Sequence, residues 1–205
     1  DIDIVGQLVF AREPLVPKPA VNLRGHFRDL WIRHFEKRKV AEDRYFGQPY
    51  FPVAKVPTRD VADVREFNSI ESVNHLHSCN PDIVLITGAP IIKEPLFSRL
   101  PAYSINLHLG LIPDYKGSIT MFWPFYFLEP TMAGCTYHVI DRLVDTGCIL
   151  HQTVPELRKG DGMFDVASRA SLTAVDDLHL VLKAVSVRLE SGIVPQSDLT
   201  LQTKG

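Results

Sequence analysis

Two polar residues near the end of one apolar run have side chains suited to catalysis. Asn106 and His108 are separated by one residue in the run 102–108 (AYSINLH), which predicts a strand. Because alternate residues of a strand project to the same face, the amide and the imidazole are predicted to lie side by side. They also stand at the carboxyl end of the strand, the edge at which open parallel sheets bind ligands. Two structural side chains with satisfied hydrogen bonds are the alternative interpretation.

A second polar set occurs in residues 141–147 (DRLVDTG). Asp145 is followed by Thr146 and Gly147, which permit a tight turn between two β-rich runs. An aspartate in a turn commonly just bonds its own backbone, and that is the simpler interpretation. If this loop folds over the end of the strand that carries His108, the carboxylate meets the imidazole. The spacing alone does not show that it does.

The alternation of strands and helices around these residues predicts the fold class. Residues 2–10 (IDIVGQLVF) and 82–87 (DIVLIT) are apolar and rich in β-branched side chains, and residues 102–108 form a third predicted strand, with helical segments between the three. Strands that alternate with helices form a parallel sheet covered by helices. We therefore predict an α/β protein with a Rossmann-like, mostly parallel sheet and helices on both faces.

The remaining elements follow from periodicity and capping residues. Helices are predicted at residues 26–41, 68–78 with Asn68 as the cap, 94–99, 121–128 as a buried aromatic helix, and 165–191 with Gly192 as the stop. A short edge strand is predicted at 50–56, a hairpin-like pair of strands at 133–140 and 148–154, and loops at 11–22 and 109–120.

Composition and charge favour a folded protein that is not built around phosphate binding. Apolar residues make up 45 % and charged residues 22 % of the 205 residues, and the formal net charge is −2. Proteins that bind nucleic acid mainly through phosphates are usually basic, so that class is disfavoured. Six basic residues do cluster between Arg24 and Lys39, and the solvated face of the predicted helix is their simpler interpretation.

Cysteine usage and hydropathy indicate a cytoplasmic protein. Cys79, Cys135 and Cys148 show no CxxC spacing and are interpreted as reduced thiols. No apolar run is long enough to span a bilayer, and the amino terminus predicts a strand rather than a signal peptide. We therefore expect no membrane partner.

Three runs of the sequence resemble the folate-dependent formyltransferases. Residues 105–117 (INLHLGLIPDYKG) resemble the family signature, in which Asn, His and a Leu–Leu–Pro loop follow a strand. Residues 134–150 (GCTYHVIDRLVDTGCIL) resemble the second motif, where Thr and His lead to a loop with the catalytic Asp before a Gly. Residues 81–88 (PDIVLITG) resemble the strand that precedes the folate pocket. The resemblance is strongest over residues 81–155 and implies the formyltransferase fold.

The resemblance implies a catalytic set of Asn106, His108 and Asp145. When an amine attacks a formyl carbon, negative charge develops on the formyl oxygen, and one hydrogen-bond donor to such a charge is typically worth about 3–4 kcal/mol. Asn106 and His108 are the implied donors, while Asp145 would accept the amine proton and orient the imidazole. The resemblance further implies 10-formyltetrahydrofolate as the formyl donor, a small-molecule amine as the acceptor, and no metal.

The resemblance also assigns the binding residues. The folate slot of the family lies between the segment after the 81–88 strand and the loop with the Asp. Here its residues are Ala89, Pro90, Ile91, Ile92, Leu143, Val144 and Asp145, with core packing as the alternative for the two isoleucines. Tyr115, Lys116 and Gly117 are the implied acceptor contacts, with a solvated loop as the alternative. His138 is expected on a strand near the site in a supporting role.

The chain departs from the family pattern at both ends. Members usually open with a strand, a glycine-containing loop and a helix before the strand aligned with residues 2–10, and this unit is missing. The sequence starts with Asp, and no second domain follows Gly205. We therefore expect residues 1–205 to be a catalytic domain that lacks its first unit, either because the chain is truncated or because its acceptor differs from that of the members with this unit.

Four functions remain open at the level of sequence. The leading hypothesis is N-formylation of a small molecule, such as a sugar amine, a ribonucleotide amine or a siderophore precursor. The alternatives are formylation of methionyl-tRNA, hydrolysis of formyltetrahydrofolate with water as the acceptor, and a folate-binding module without turnover. The sequence determines neither the acceptor nor the oligomeric state.

Overall fold

The computed structural model describes residues 2–11, 16–47 and 55–195. Its strands are β1 (Gln7–Phe10), β2 (Thr58–Val61), β3 (Ile83–Thr87), β4 (Tyr103–His108), β5 (Cys135–Val139) and β6 (Ile149–Thr153). Its α-helices are α1 (Gly25–Phe46), α2 (Val64–Phe67), α3 (Ile70–Cys79), α4 (Trp123–Tyr126) and α5 (Met163–Glu190), with 3-10 turns at Phe97–Arg99 and Pro130–Met132.

The strands form two sheets. β1 and β2 pair in parallel, and the second sheet has the order β3-β4-β5-β6. β3 and β4 are parallel, while β5 and β6 are antiparallel to their neighbours because they form a hairpin that folds back onto β4. The predicted α/β class and the predicted hairpin are confirmed, and the larger sheet is mixed.

Two separate cores position the elements. In the first core α5 packs on β4 and β5, with Ile105, Tyr137 and Ala174 buried, and the Tyr137 hydroxyl donates to the Ala174 carbonyl at 2.8 Å. Burying an aliphatic or aromatic side chain of this kind is worth about 1.5–3 kcal/mol. The second core consists of Val61, Phe67, Val73 and Leu96, with Ala89 and Ile92 packed against it. The second core therefore anchors the segment that follows β3.

The two long helices pack against each other. The His34 and Phe164 rings lie 4.9 Å apart, and the Arg44 guanidinium lies 3.0 Å from the Asp165 carboxylate. The predicted helices 26–41 and 165–191 are confirmed, and α1 continues to Phe46, with Arg44 of its last turn paired to Asp165 of α5. Among the described helices, none is both long enough and apolar enough to cross a membrane.

The predicted helices 68–78, 94–99 and 121–128 are present in the structure but differ in detail from the prediction. Ser69 occupies the N-cap of α3, while Asn68 ends α2 and directs its side chain to another segment. Only Trp123–Tyr126 is helical within 121–128, and Leu128 is 87 % exposed, so this aromatic segment is not a buried helix. The segment 94–99 holds a 3-10 turn at Phe97–Arg99. For Asn68 the local capping pattern was outweighed by hydrogen bonds to Ile91 and Lys93, which are distant in sequence.

Two strand predictions also need correction. Within 2–10 only Gln7–Phe10 forms a strand, and Ile2 and Ile4 are exposed. Most of the predicted strand 50–56 lies outside the described residues. β2 was not predicted, because Thr58–Val61 contains a single apolar residue and shows no alternation.

Candidate active site

The register of β4 against β5 brings four polar side chains together. Asn106 pairs with His138 and His108 pairs with Thr136 across the two strands, so all four side chains share one face. The Asn106 amide nitrogen lies 3.1 Å from His138 Nε2. His108, Thr136 and His138 are buried. A polar cluster is thus built into the carboxyl end of β4.

The loop between β5 and β6 adds a carboxylate to this cluster. Asp145 Oδ2 lies 3.4 Å from His108 Nδ1, and Asp145 Oδ1 lies 3.5 Å from His138 Nε2. Only 8 % of the Asp145 side chain is exposed. The loop therefore folds over the strand end, and the carboxylate lies between two imidazoles. The catalytic roles of these residues remain predictions.

The conformation of this loop is set by its other residues. Asp141 accepts hydrogen bonds from the Leu143 amide at 2.9 Å and from the Thr146 hydroxyl, which is the turn role that the sequence left open for Asp145. Asp145 itself has a φ of +53°, a left-handed conformation that is costly for a residue with a side chain. At Gly147 an added Cβ would lie 1.7 Å from the Val139 carbonyl oxygen, so only glycine fits there.

The hydrogen bonds assign the protonation of His138. Its Nδ1 lies 3.0 Å from the Val139 carbonyl and therefore donates to it. Nε2 is then free of a proton and accepts from the Asn106 amide. Burial lowers the pKa of His138, and this outweighs the opposing effects of the Val139 carbonyl and the Asp145 carboxylate. His138 is therefore neutral at pH 7.

Both nitrogens of His108 face oxygen atoms. Nε2 lies 2.8 Å from the Tyr115 carbonyl and donates to it, while Nδ1 faces Asp145. A second proton on Nδ1 would make the ring an imidazolium paired with the carboxylate. The predicted donation from His108 to a formyl oxygen thus requires Nε2 to exchange or share its bond to Tyr115 when a ligand binds.

The loop after β4 contacts the cluster through its backbone. The Gly117 amide donates to Asp145 Oδ2 at 2.8 Å, and the Tyr115 carbonyl accepts from His108. The Tyr115 hydroxyl donates to the Glu129 carboxylate at 2.7 Å, a bond that raises the pKa of Tyr115 to about 12. The Lys116 side chain is exposed. Sequence reasoning missed this backbone role, because side-chain types carry no signal for it.

Asn68 holds one of the two predicted folate segments, and Arg142 joins the two segments. Asn68 donates to the Ile91 carbonyl at 3.1 Å and accepts from the Lys93 amide, which holds the segment after β3. Arg142 lies 3.7 Å from the Glu94 carboxylate, and its guanidinium lies 5.4 Å from the centre of the Phe97 ring. The loop that carries Asp145 therefore adjoins the segment that follows β3.

The apolar residues of these two segments differ in burial. Ile91, Leu143 and Val144 are all more than half exposed, whereas Ala89 and Ile92 pack against the second core. Core packing thus explains the apolar side chain at Ile92, whereas Ile91 has no such role. Exposed apolar side chains on adjoining segments are what a flat, largely apolar ligand requires.

Comparison with known proteins decides the family. A family model described as Formyl transferase matches residues 34–179, which is most of the chain and includes every residue of the cluster. The chain belongs to the formyl transferase family.

The relatives of this formyl transferase carry names that describe different activities. Methionyl-tRNA formyltransferase of Chlorobium chlorochromatii is 23 % identical over 143 residues, which cover 70 % of the chain and 44 % of the relative. The trifunctional purine biosynthetic protein adenosine-3 of Chironomus tentans is 29 % identical over 148 residues, 72 % of the chain and 10 % of the relative. The chain therefore spans less than half the length of these two relatives.

Solved structures share the fold of this formyl transferase. Phosphoribosylglycinamide formyltransferase from Bacillus halodurans has a TM-score of 0.55 at 18 % identity, covering 81 % of the chain and 94 % of that structure. A sugar N-formyltransferase from Shewanella has a TM-score of 0.54 at 18 % identity, covering 98 % of the chain and 75 % of that structure. At this identity the likeness shows the fold alone.

An aromatic surface adjoins the predicted acceptor loop of this formyl transferase. Trp123, Tyr126 and Phe127 are exposed, and the Trp123 and Phe127 rings lie 6.1 Å apart and nearly parallel. The Thr120 hydroxyl donates to the Leu109 carbonyl, which ties the start of this surface to the start of the loop. Exposed aromatic side chains of this kind commonly mark a binding surface.

The described part of this formyl transferase contains no group of three or more His, Cys, Asp and Glu side chains arranged to hold a metal ion. The expectation that the reaction needs no metal stays a prediction. All three cysteines are free, and burial raises the pKa of Cys135 to about 12.

Proposed function

We propose that this formyl transferase moves a formyl group from 10-formyltetrahydrofolate to the amine of a small molecule. The observation that carries the proposal is the buried cluster in which Asp145 lies beside His108 and His138, with Asn106 bonded to His138. Family membership supports the reaction type. A sugar amine, a ribonucleotide amine and a siderophore precursor are the acceptor classes considered.

The residues present fit the formyl donor. Ile91, Leu143 and Val144 offer an apolar surface on two segments that Arg142 joins through Glu94 and Phe97. When bound, 10-formyltetrahydrofolate would supply the formyl group. The apolar side chains would hold its flat ring, and the polar cluster at the end of β4 would face the reacting group.

Asn106 and His108 would stabilise negative charge on the formyl oxygen. The Asn106 NH2 group has two hydrogens, of which one is bonded to His138, so the other is the proposed donor. His108 Nε2 would contribute by sharing its bond to the Tyr115 carbonyl. Each donor in such a site is typically worth about 3–4 kcal/mol.

Asp145 would accept the proton of the attacking amine, directly or through one water. The Gly117 amide holds Oδ2 at 2.8 Å, which fixes the carboxylate beside His108. His138 does not compete for this proton, because burial lowers its pKa and Asn106 already donates to its bare nitrogen. General base catalysis of this kind contributes about 100- to 10,000-fold to the rate.

The test uses the full-length protein with 10-formyltetrahydrofolate and a panel of amines. Release of tetrahydrofolate that depends on one amine supports the proposal and identifies the acceptor class. Release of tetrahydrofolate and formate without any amine would instead identify a hydrolase. Binding of a folate analogue without turnover under all these conditions would identify a binding module.

Formylation of methionyl-tRNA is the second candidate, and the similarity to methionyl-tRNA formyltransferase favours it. The basic cluster of α1 is partly neutralised, because Arg38 lies 2.7 Å from Glu42 and Lys39 is paired with Asp43. Contacts to phosphates make binding strongly dependent on salt. Salt-dependent binding of tRNA by the full-length protein would support this candidate over a small-molecule acceptor.

A further inference from the structure

One side chain of β6 reaches the loop that follows β4. Gln152 is the partner of Thr136 in the β5–β6 register, so the two side chains share a face. The Gln152 amide nitrogen donates to the Ile112 carbonyl at 2.8 Å and to the Thr136 hydroxyl at 3.0 Å. Gln152 therefore links the hairpin to the loop.

Thr136 forms the centre of this link. Its hydroxyl donates to the Gly110 carbonyl at 2.7 Å and accepts from the Ile112 amide at 3.2 Å. The bond from Gln152 occupies the remaining lone pair, because a hydroxyl has one donor and two acceptor sites. The hydrogen-bonding capacity of Thr136 is thus fully used to hold residues 110–112.

The same loop presents two backbone groups to the cluster. The Tyr115 amide donates to the Leu111 carbonyl at 2.8 Å, and the Tyr115 carbonyl accepts from His108. The Gly117 amide donates to Asp145. At Gly110 an added Cβ would lie 2.7 Å from His108 Nε2, so the loop packs directly on the imidazole. A shift of residues 110–112 would therefore move the partners of both His108 and Asp145.

We propose that Gln152 is a positioning residue for the catalytic cluster. It acts through the Ile112 carbonyl and the Thr136 hydroxyl, and it keeps the Tyr115 carbonyl and the Gly117 amide in place. This inference rests on the proposed function for its effect on catalysis. Gln152 is exposed overall, so replacing it opens no cavity in the core.

The test compares Gln152→Met, which keeps the length but removes the donor, with Gln152→Glu. Hydrogen exchange of the amides of residues 110–117 should become at least about tenfold faster in Gln152→Met, while the amides of α5 should be unchanged. An exposed glutamic acid protonates at about pH 4.3, so Gln152→Glu should regain protection as the pH falls, and Gln152→Met should not. If Gln152→Met merely lowered the stability of the whole protein, Gln152→Glu would not regain amide protection at low pH.

Turnover gives the second measurement. We expect kcat to fall by about 10- to 100-fold in Gln152→Met with the KM for the formyl donor changed less than about twofold, because small misplacements of catalytic groups cost rates of this size. Gln7→Met is the matched control, since the Gln7 side chain donates to Thr58 in the other sheet, and it should leave kcat unchanged.

The two proposals fail in different ways. If the wild-type protein shows no turnover with any acceptor, the proposed function fails, and hydrogen exchange still decides whether Gln152 holds the loop. Unchanged exchange in Gln152→Met overturns the inference. Faster exchange together with an unchanged kcat in an active enzyme overturns it as well.

Discussion

One aspartate residue connects the polar groups of the site. Asp145 adopts a left-handed backbone conformation, is buried, and faces both His108 and His138. Non-glycine residues in such a conformation are held there by their surroundings, and they are frequent at functional sites. Here Asp141 and Gly147 supply the surroundings that hold it.

Replacing Asp145 by asparagine tests its role as the proton acceptor. Asp145→Asn keeps the shape of the side chain but removes its basicity, so we expect the turnover rate to fall by at least about 100-fold. Binding of a folate analogue should change much less, because the apolar surface is intact. Asp176→Asn on the exposed side of α5 is the control, and both rates are measured as tetrahydrofolate release. Full activity of Asp145→Asn would exclude the proposed role.

The buried imidazole of His138 makes stability depend on pH. Burial lowers its pKa below the usual 6.5, so the unfolded chain binds a proton at a higher pH than the folded protein does. The free energy of unfolding should therefore fall as the pH drops below 6.5, until the lowered pKa is reached. Well above pH 6.5 the imidazole is neutral in both the folded and the unfolded chain, so His138 causes no such loss of stability.

Urea unfolding of wild-type protein and His138→Gln at about pH 7.5 and about pH 5.5 measures this effect. The wild type should lose more stability between the two values than His138→Gln does. His179→Gln, at an exposed position of α5, is the control and should behave as the wild type. Equal losses in wild type and His138→Gln would contradict the assignment of a neutral buried imidazole.

The secondary-structure elements that build the site are distant in sequence. The β4–β5 register sets Asn106 against His138, and the β5–β6 loop carries Asp145. The end of α2 places Asn68 against the segment after β3. Side chains at the end of one element thus hold a distant segment in place by bonding to it.

Asn68 gives a prediction for the segment that follows β3. Asn68→Ala removes its bonds to Ile91 and Lys93, which hold the segment with about 1–3 kcal/mol per buried hydrogen bond. We expect affinity for a folate analogue to fall by about tenfold, because the ligand must then order this segment when it binds. Asn74→Ala on the exposed face of α3 is the control. Calorimetric titration measures both, and unchanged affinity in Asn68→Ala would place the folate elsewhere.

Across the molecule as a whole, the two sheets leave apolar side chains in solvent. β1 is paired only with β2, and β3 is paired only with β4, among the strands that the structure describes. Val5, Val9 and Leu85 are exposed on or beside these strands. The expectation that residues 1–205 are a catalytic domain without the family's first strand, loop and helix stays a prediction.

These exposed residues predict self-association of the 205-residue chain. Exposed apolar strands with unpaired edges tend to pair with strands of other molecules, and charged side chains on such a strand oppose this pairing. We expect the average mass measured by light scattering to rise with concentration, and to rise less in the variant Val9→Lys, Leu85→Lys. Val175→Lys, at an exposed site on α5, should not change the behaviour. A wild-type chain that stays monomeric at high concentration would contradict the prediction.

Elements with local signals could be predicted from the order of the amino acids. The β-branched run 82–87 predicted β3, the run 102–108 predicted β4, and the long apolar period predicted α5. Two motifs pointed to Asn106, His108 and Asp145. Periodicity and capping act over a few neighbouring residues, so such signals are present in the chain before it folds.

Other features of the site depended on how the chain folds. The side chain of Asn68, predicted as a helix cap, instead forms hydrogen bonds to the segment after β3. Trp123, Tyr126 and Phe127 of the predicted buried helix 121–128 are exposed. Folding also brought the Tyr115 carbonyl against His108, and it placed Asp145 beside His138, which the resemblance had put near the site. The physical reason is that burial and hydrogen bonding in the site join residues far apart in sequence, and only the folded chain brings such residues together.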